Sequence, residues 1–106
     1  MMAKKQTAGH ENFGDFAPKF AELNDDVLFG QVWSREDKLS PKQRSLITVA
    51  SLLTQGVPQL RPHMQIAKNN GVTKDEMVEL ITQLAFYAGW PKAWTAMTMA
   101  KEIYGE

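Results

Sequence analysis

Nowhere in this sequence do apolar and polar residues alternate with period two; apolar positions recur at spacings of three and four, which commits the chain to helices and an all-α fold. The helix boundaries are written locally. Ser40-Pro41-Lys42-Gln43 places a capping hydroxyl, a proline at the first helical position and a reciprocating amide three residues after the cap, so a helix is predicted from residue 41. It runs through Leu46, Val49 and Leu53 to the interruption at Gly56-Val57-Pro58. A helix over about 59–70 follows, closed by Gly71 in the left-handed conformation. Thr73-Lys74-Asp75-Glu76 repeats the capping pattern and opens a helix over about 74–88, which Gly89-Trp90-Pro91 ends; the last helix covers about 91–104. Upstream, Phe13, Phe16, Ala17 and Phe20 form the stripe of a short helix that Pro18 lets begin only near residue 17. Asn24 caps a further turn or two through Val27, Leu28 and Trp33. Residues 1–12 carry no periodic apolar pattern and read as a flexible tail, leaving 13–106 as one compact domain of about six helices.

The chain of 106 residues, 43% hydrophobic, supports one domain of roughly 13 Å radius. Twelve basic side chains balance twelve acidic ones, so there is no excess charge for a phosphate backbone and nucleic acid is not an expected partner. The absence of cysteine removes disulfides, thiolate-ligated zinc, iron–sulfur clusters and thiol redox chemistry together. Two histidines 53 positions apart form no metal cluster, and no glycine-rich phosphate loop occurs, so no metal or cofactor is expected. The longest apolar stretches, 46–53 and 84–90, fall far below the ~20 residues that span a bilayer, and no apolar run follows Lys4 and Lys5. A cytoplasmic protein without membrane association is the expectation. The helices 41–55 and 74–88 are apolar around more than half their circumference, more than one small domain can bury, which points to assembly with further copies. The three tryptophans and five phenylalanines suit such an interface, or the lining of a ligand pocket.

Among residues able to do chemistry, His63 shares a helical stripe with Leu60, Met64 and Ala67, so its imidazole is expected to face inward. It is either a core histidine with a satisfied hydrogen bond or a proton carrier working near neutral pH. Arg44 lies one turn into its helix, at the end where the dipole disfavours a cation. It either pairs with an acid such as Glu76 or Glu79 or offers its planar fork to a carboxylate ligand. Glu76 is accounted for by its capping box, which leaves Glu79 as the better acid candidate. Tyr87 stands at a helix junction, where its phenol could donate or its ring pack.

The run from Leu39 to Thr48, Leu60-x-x-His63, Asn70-Gly71-Val72-Thr73-x-x-Glu76 and Tyr87-Ala88-Gly89-Trp90-Pro91 together resemble the carboxymuconolactone decarboxylase family, in its short cysteine-free form. The resemblance covers about Phe13 to Tyr104 and implies an alkylhydroperoxidase D-like helical fold assembled as a homotrimer or homohexamer. The thiol peroxidase branch of that superfamily carries a Cys-x-x-Cys pair where this chain has Gly56 and Gln59, so peroxidase activity is excluded on chemical grounds. The decarboxylase branch implies a lyase in aromatic degradation acting on a small organic acid, with His63 moving a proton and Arg44 holding a carboxylate. In the same reading Gln59 orients the substrate, and Trp90 and Trp94 form an apolar wall. The chain departs from that branch at Gln59, where decarboxylases usually have an acid, and at Trp94-Thr95, where they often carry a second histidine. A non-catalytic oligomeric scaffold, or an isomerase or lactone hydrolase using the same histidine, are the competing readings.

Overall fold

The structure is a computed structural model that describes residues 6–105. Within them the chain forms α1 (Ala8–Phe13), α2 (Pro18–Glu22), a π-helix (Leu23–Val32), α3 (Pro41–Gln55), α4 (Leu60–Asn69), α5 (Lys74–Leu84) and α6 (Trp90–Tyr104), with no strand among the described residues. The chain divides in sequence between Pro41 and Lys42 into two compact units.

In the first unit the Asp25 carboxylate gathers the backbone. It is buried, and it accepts from the backbone N–H of Gly9 and of His10, both at 2.9 Å, from the Asn24 amide at 2.8 Å, and from His10 Nδ1. Burial alone pushes such a carboxyl up; these hydrogen bonds outweigh it and hold the group well below the usual carboxylate range. Gly9 is required at its position, since a Cβ there would meet Asp25 Oδ1 at 2.7 Å and the Ala21 carbonyl oxygen at 2.9 Å. Of the residues 1–12 read as a tail, 1–5 lie outside the described residues, and Ala8 to Asn12 belong to the helix Ala8–Phe13, whose Gly9 and His10 amides donate to a carboxylate 15 to 16 residues downstream. The turns expected after Asn24 are a ten-residue π-helix, whose last bond runs from the Trp33 N–H to the Leu28 carbonyl at 2.9 Å. The phenylalanine stripe is largely solvent-facing within its unit: Phe16 is 90% exposed, and Phe13 and Phe20 meet edge to face.

The second unit is built around one core from four helices. Val49 and Leu53 of α3, Leu60 and Met64 of α4, and Met77 and Ile81 of α5 are buried together, each large side chain contributing about 1.5–3 kcal/mol by leaving water. Against them α6 turns Ala93, Ala96 and Ala100, small residues on one face that let its backbone approach α4 and α5 closely. The boundaries follow from local chemistry. At Thr73 the capping box is complete, with Glu76 N–H donating to Thr73 Oγ1 at 3.1 Å and Thr73 N–H donating to Glu76 Oε1 at 2.9 Å. Helix α4 ends in a Schellman motif: Gly71, at φ +95°, sends its N–H to the Lys68 carbonyl, and the buried Val72 sends its own to Ala67. Helix α5 stops at Leu84, four residues short of the prediction, because Phe86 and Tyr87 tighten onto the carbonyls of Gln83 and Leu84 in three-residue turns.

Candidate active site

Helix α4 carries the histidine, and several contacts fix it. Its first turn follows Gly56, whose φ of +70° turns the chain at the end of α3. Lys92 of α6 closes that turn by donating to the Thr54 carbonyl at 2.8 Å. The far end is held by Lys68 Nζ on the Ile103 carbonyl at 2.9 Å, and by the Asn70 amide, which donates to the buried Ser45 hydroxyl at 3.0 Å. That last bond also pins the first turn of α3, where Arg44 sits half-buried beside Ser45. Arg61 pairs with Glu102 at 2.6 Å on the outer face.

Gln59 and His63 form one turn at the start of α4, joined by the His63 N–H donating to the Gln59 carbonyl at 3.3 Å. The Gln59 side chain is exposed, whereas His63 is half-buried above the buried Leu60, Met64 and Ala67. Burial pushes the imidazole pKa below its ordinary 6.5, so the ring is neutral at neutral pH and its protonated form is a stronger acid than a free histidine. Next to this turn lies a groove of about 480 Å³ lined by Gly56, Pro58, Leu60, Lys92 and Thr95. Thr95 has its hydroxyl committed to the Pro91 carbonyl at 3.2 Å.

The remaining expected residues lie elsewhere. Glu76 is taken by the capping box and by Lys42 at 2.9 Å, which together lower its pKa, backbone hydrogen bonding first; it is Lys42 that salt-bridges it. Glu79 is exposed and lines a groove with Leu46, Ile47 and Ala50 between α3 and α5. Tyr87 is 81% exposed in the α5–α6 turn. Trp90 and Trp94 project toward α5, where they line an apolar cavity with Ile81 and Ala85. Successive residues of a helix point about 100° apart, so Trp94 and Thr95 serve different grooves.

Lys92 is the residue that sequence reasoning missed. The signal was available: a cation in the first turn of α6 opposes the helix dipole and needs an acceptor, which the C-terminal carbonyls of α3 provide. Among the described residues no group of three or more acidic, histidine or cysteine side chains could hold a metal ion. Also among them, no helix is long and apolar enough to cross a membrane.

Residues 18–102 match the carboxymuconolactone decarboxylase family. The chain is 44% identical over 95 residues to the 4-carboxymuconolactone decarboxylase of Acinetobacter baylyi, covering 89% of this chain and 70% of that protein. It is 34% identical over 84 residues to an uncharacterized 15.0 kDa protein of Paracoccus denitrificans, covering 76% of this chain and 62% of that one. With the nitrosuccinic acid decarboxylase of Metarhizium robertsii it shares 37% identity over 86 residues, 80% of this chain and 59% of that enzyme. The chain thus spans less than two thirds of two of these three relatives.

Proposed function

The chain belongs to the carboxymuconolactone decarboxylase family, and from that premise we propose that it is a cofactor-free, decarboxylase-like enzyme acting by proton transfer on an anionic unsaturated or lactone acid. The observation that carries the reading is His63: a half-buried imidazole, its pKa lowered by burial, on a helical turn fixed from both ends. Decarboxylation breaks the bond between the carboxylate carbon and the substrate skeleton, leaves the electron pair in the conjugated system as a dienolate, and consumes one proton at carbon. His63, neutral at rest, takes one proton from solvent, delivers it as imidazolium to that carbon and returns to the neutral ring. Arg44 holds the substrate carboxylate through its planar fork, and Gln59 orients the acid from the adjoining turn. Lys92 adds positive charge at the neighbouring groove, which favours an anionic ligand over a neutral one. The tryptophans face α5 and are not needed in this reading.

Assembly as a homotrimer or homohexamer belongs to the same proposal. It is supported by Ile47, 57% exposed on α3, and by the apolar groove of about 470 Å³ that it forms with Leu46, Leu80 and Leu84. A cytoplasmic location fits this reading of a small organic acid enzyme.

One observation favours a second reading, a non-catalytic oligomeric scaffold. Thr95, where decarboxylases of the family often have a histidine, uses its hydroxyl on its own helix. The separating experiment is product analysis by NMR after incubation with 4-carboxymuconolactone. Release of carbon dioxide with a lactone one carbon smaller supports the proposal. An isomer or a ring-opened acid retaining every carbon moves the assignment to isomerase or hydrolase chemistry, and an unchanged substrate to the scaffold.

A further inference from the structure

The apolar faces of α5 and α6 leave a groove that the proposed chemistry does not use. One wall is the α6 stripe Trp94, Met97, Lys101 and Tyr104; the other is Lys74 and Val78 of α5. Its volume is about 410 Å³, and it continues through Trp94 and Met97 into the 210 Å³ cavity bounded by Ala85 and Trp90. From Lys74 to Ala85 the helical rise gives a length of about 16 Å.

The polarity of this groove is one-sided. Both lysines stand at the Tyr104 end, and the Trp90 end is apolar. No carboxylate lines either part. Of the acids near these lysines in sequence, Glu76 is engaged with Lys42 and Glu102 with Arg61, and Asp75, which follows Lys74 directly, lines neither part of the groove. Neither Lys74 nor Lys101 is paired with an acid among the described residues. Lys74 occupies the first position of α5, in a first turn that also carries Asp75 and Glu76. The Tyr104 ring at this end is held in place by its hydroxyl donating to the Val72 carbonyl at 2.8 Å and by Lys68 over its face. A two-fold contact of this face with itself is disfavoured, because it would set lysine against lysine.

We propose that the α5–α6 groove binds a free medium-chain monocarboxylate, with its carboxylate between Lys74 and Lys101 and its hydrocarbon chain along Val78, Met97 and Trp94 toward Trp90. The site is independent of His63 and of the decarboxylase reading.

The test is titration of the full chain with decanoate below its micelle concentration, read by the indole N–H resonances and by calorimetry, with decanol as the neutral control. The Trp94 indole, assigned with Trp94→Phe, shifts saturably with decanoate. Decanol binds about fivefold or more weakly, as two exposed charge contacts allow. Raising the salt narrows that difference. Lys74→Gln with Lys101→Gln removes the difference while leaving decanol binding in place. Thr98→Trp, which fills the groove from its exposed rim, abolishes binding of both ligands in a chain whose circular dichroism is unchanged. Equal binding of decanoate and decanol overturns the proposal, as does an affinity insensitive to the lysine changes. So does a Trp94 resonance that responds only to anionic vesicles, or one shielded in the free protein by a second copy.

Discussion

Lys92 of α6 donates its ammonium hydrogen to the carbonyl of Thr54 at 2.8 Å, a contact across 38 residues that joins the start of one helix to the end of another. The same side chain lies against Gly56, whose added Cβ would stand 3.3 Å from Lys92 Cε. The turn that leads into α4, and so the placement of Gln59 and His63, depends on this lysine. Lys92→Met keeps the packing and removes the donor. We expect a loss of about 1 kcal/mol in chemical unfolding, with faster hydrogen exchange at Gly56 and Val57. Unchanged exchange there would mean the turn is held by its glycine alone.

His63 gives a pH dependence whose sign is fixed. Its pKa in the folded chain lies below the ordinary 6.5 because burial disfavours the charged ring. Between the two values the unfolded chain binds a proton that the folded chain does not. Its contribution to stability is therefore complete above pH ~6.5 and declines as the pH falls through that window. Urea titrations at a series of pH values should give a shallower decline for His63→Gln than for the wild type. Parallel curves would place the imidazole in water.

Asp25 shows the same linkage in the carboxylate range. Four hydrogen bonds hold its pKa down, so the stability it confers is present above the ordinary carboxylate range and is lost as the pH falls toward its lowered value. Asp25→Asn turns an amide toward backbone donors. Exchange of the Gly9 and His10 amides should accelerate about tenfold or more, while α3 to α6 keep their protection. Protection lost uniformly along the chain would show instead that the clasp supports the whole fold.

The capping box at Thr73 offers a local measurement. Thr73→Ala removes the side-chain acceptor for the Glu76 N–H and should cost about 1 kcal/mol, and Thr73→Asp should recover most of it. A variant as stable as the wild type would leave the Lys42–Glu76 ion pair as the main restraint on this end of α5.

Helix boundaries encoded within four or five residues were readable in the sequence. Pro41 opens α3, Thr73 and Glu76 open α5, and Gly71 closes α4, since each acts on backbone groups of its own turn. The inward stripe of α4 followed from periodicity, and His63 is half-buried on it. What escaped was set by partners distant in sequence. Helix α1 exists over residues read as a tail because Asp25 collects the amides of Gly9 and His10. The π-helix has no marker in its composition; it packs on α1 and α2. Trp90 and Trp94, read from the family pattern as an apolar wall, line a cavity with Ile81 and Ala85 of the α5 side, a neighbourhood that their spacing alone does not specify. Lys92 gains its place only when α6 returns to the end of α3.

The central claim is that His63 moves the proton. It is tested most directly by the rate of carbon dioxide release from 4-carboxymuconolactone by the wild type and by His63→Gln, with KM and kcat measured separately. The account predicts a fall in kcat of about 10²- to 10⁴-fold with KM little changed and the helical spectrum intact. Equal turnover by the two proteins would contradict it.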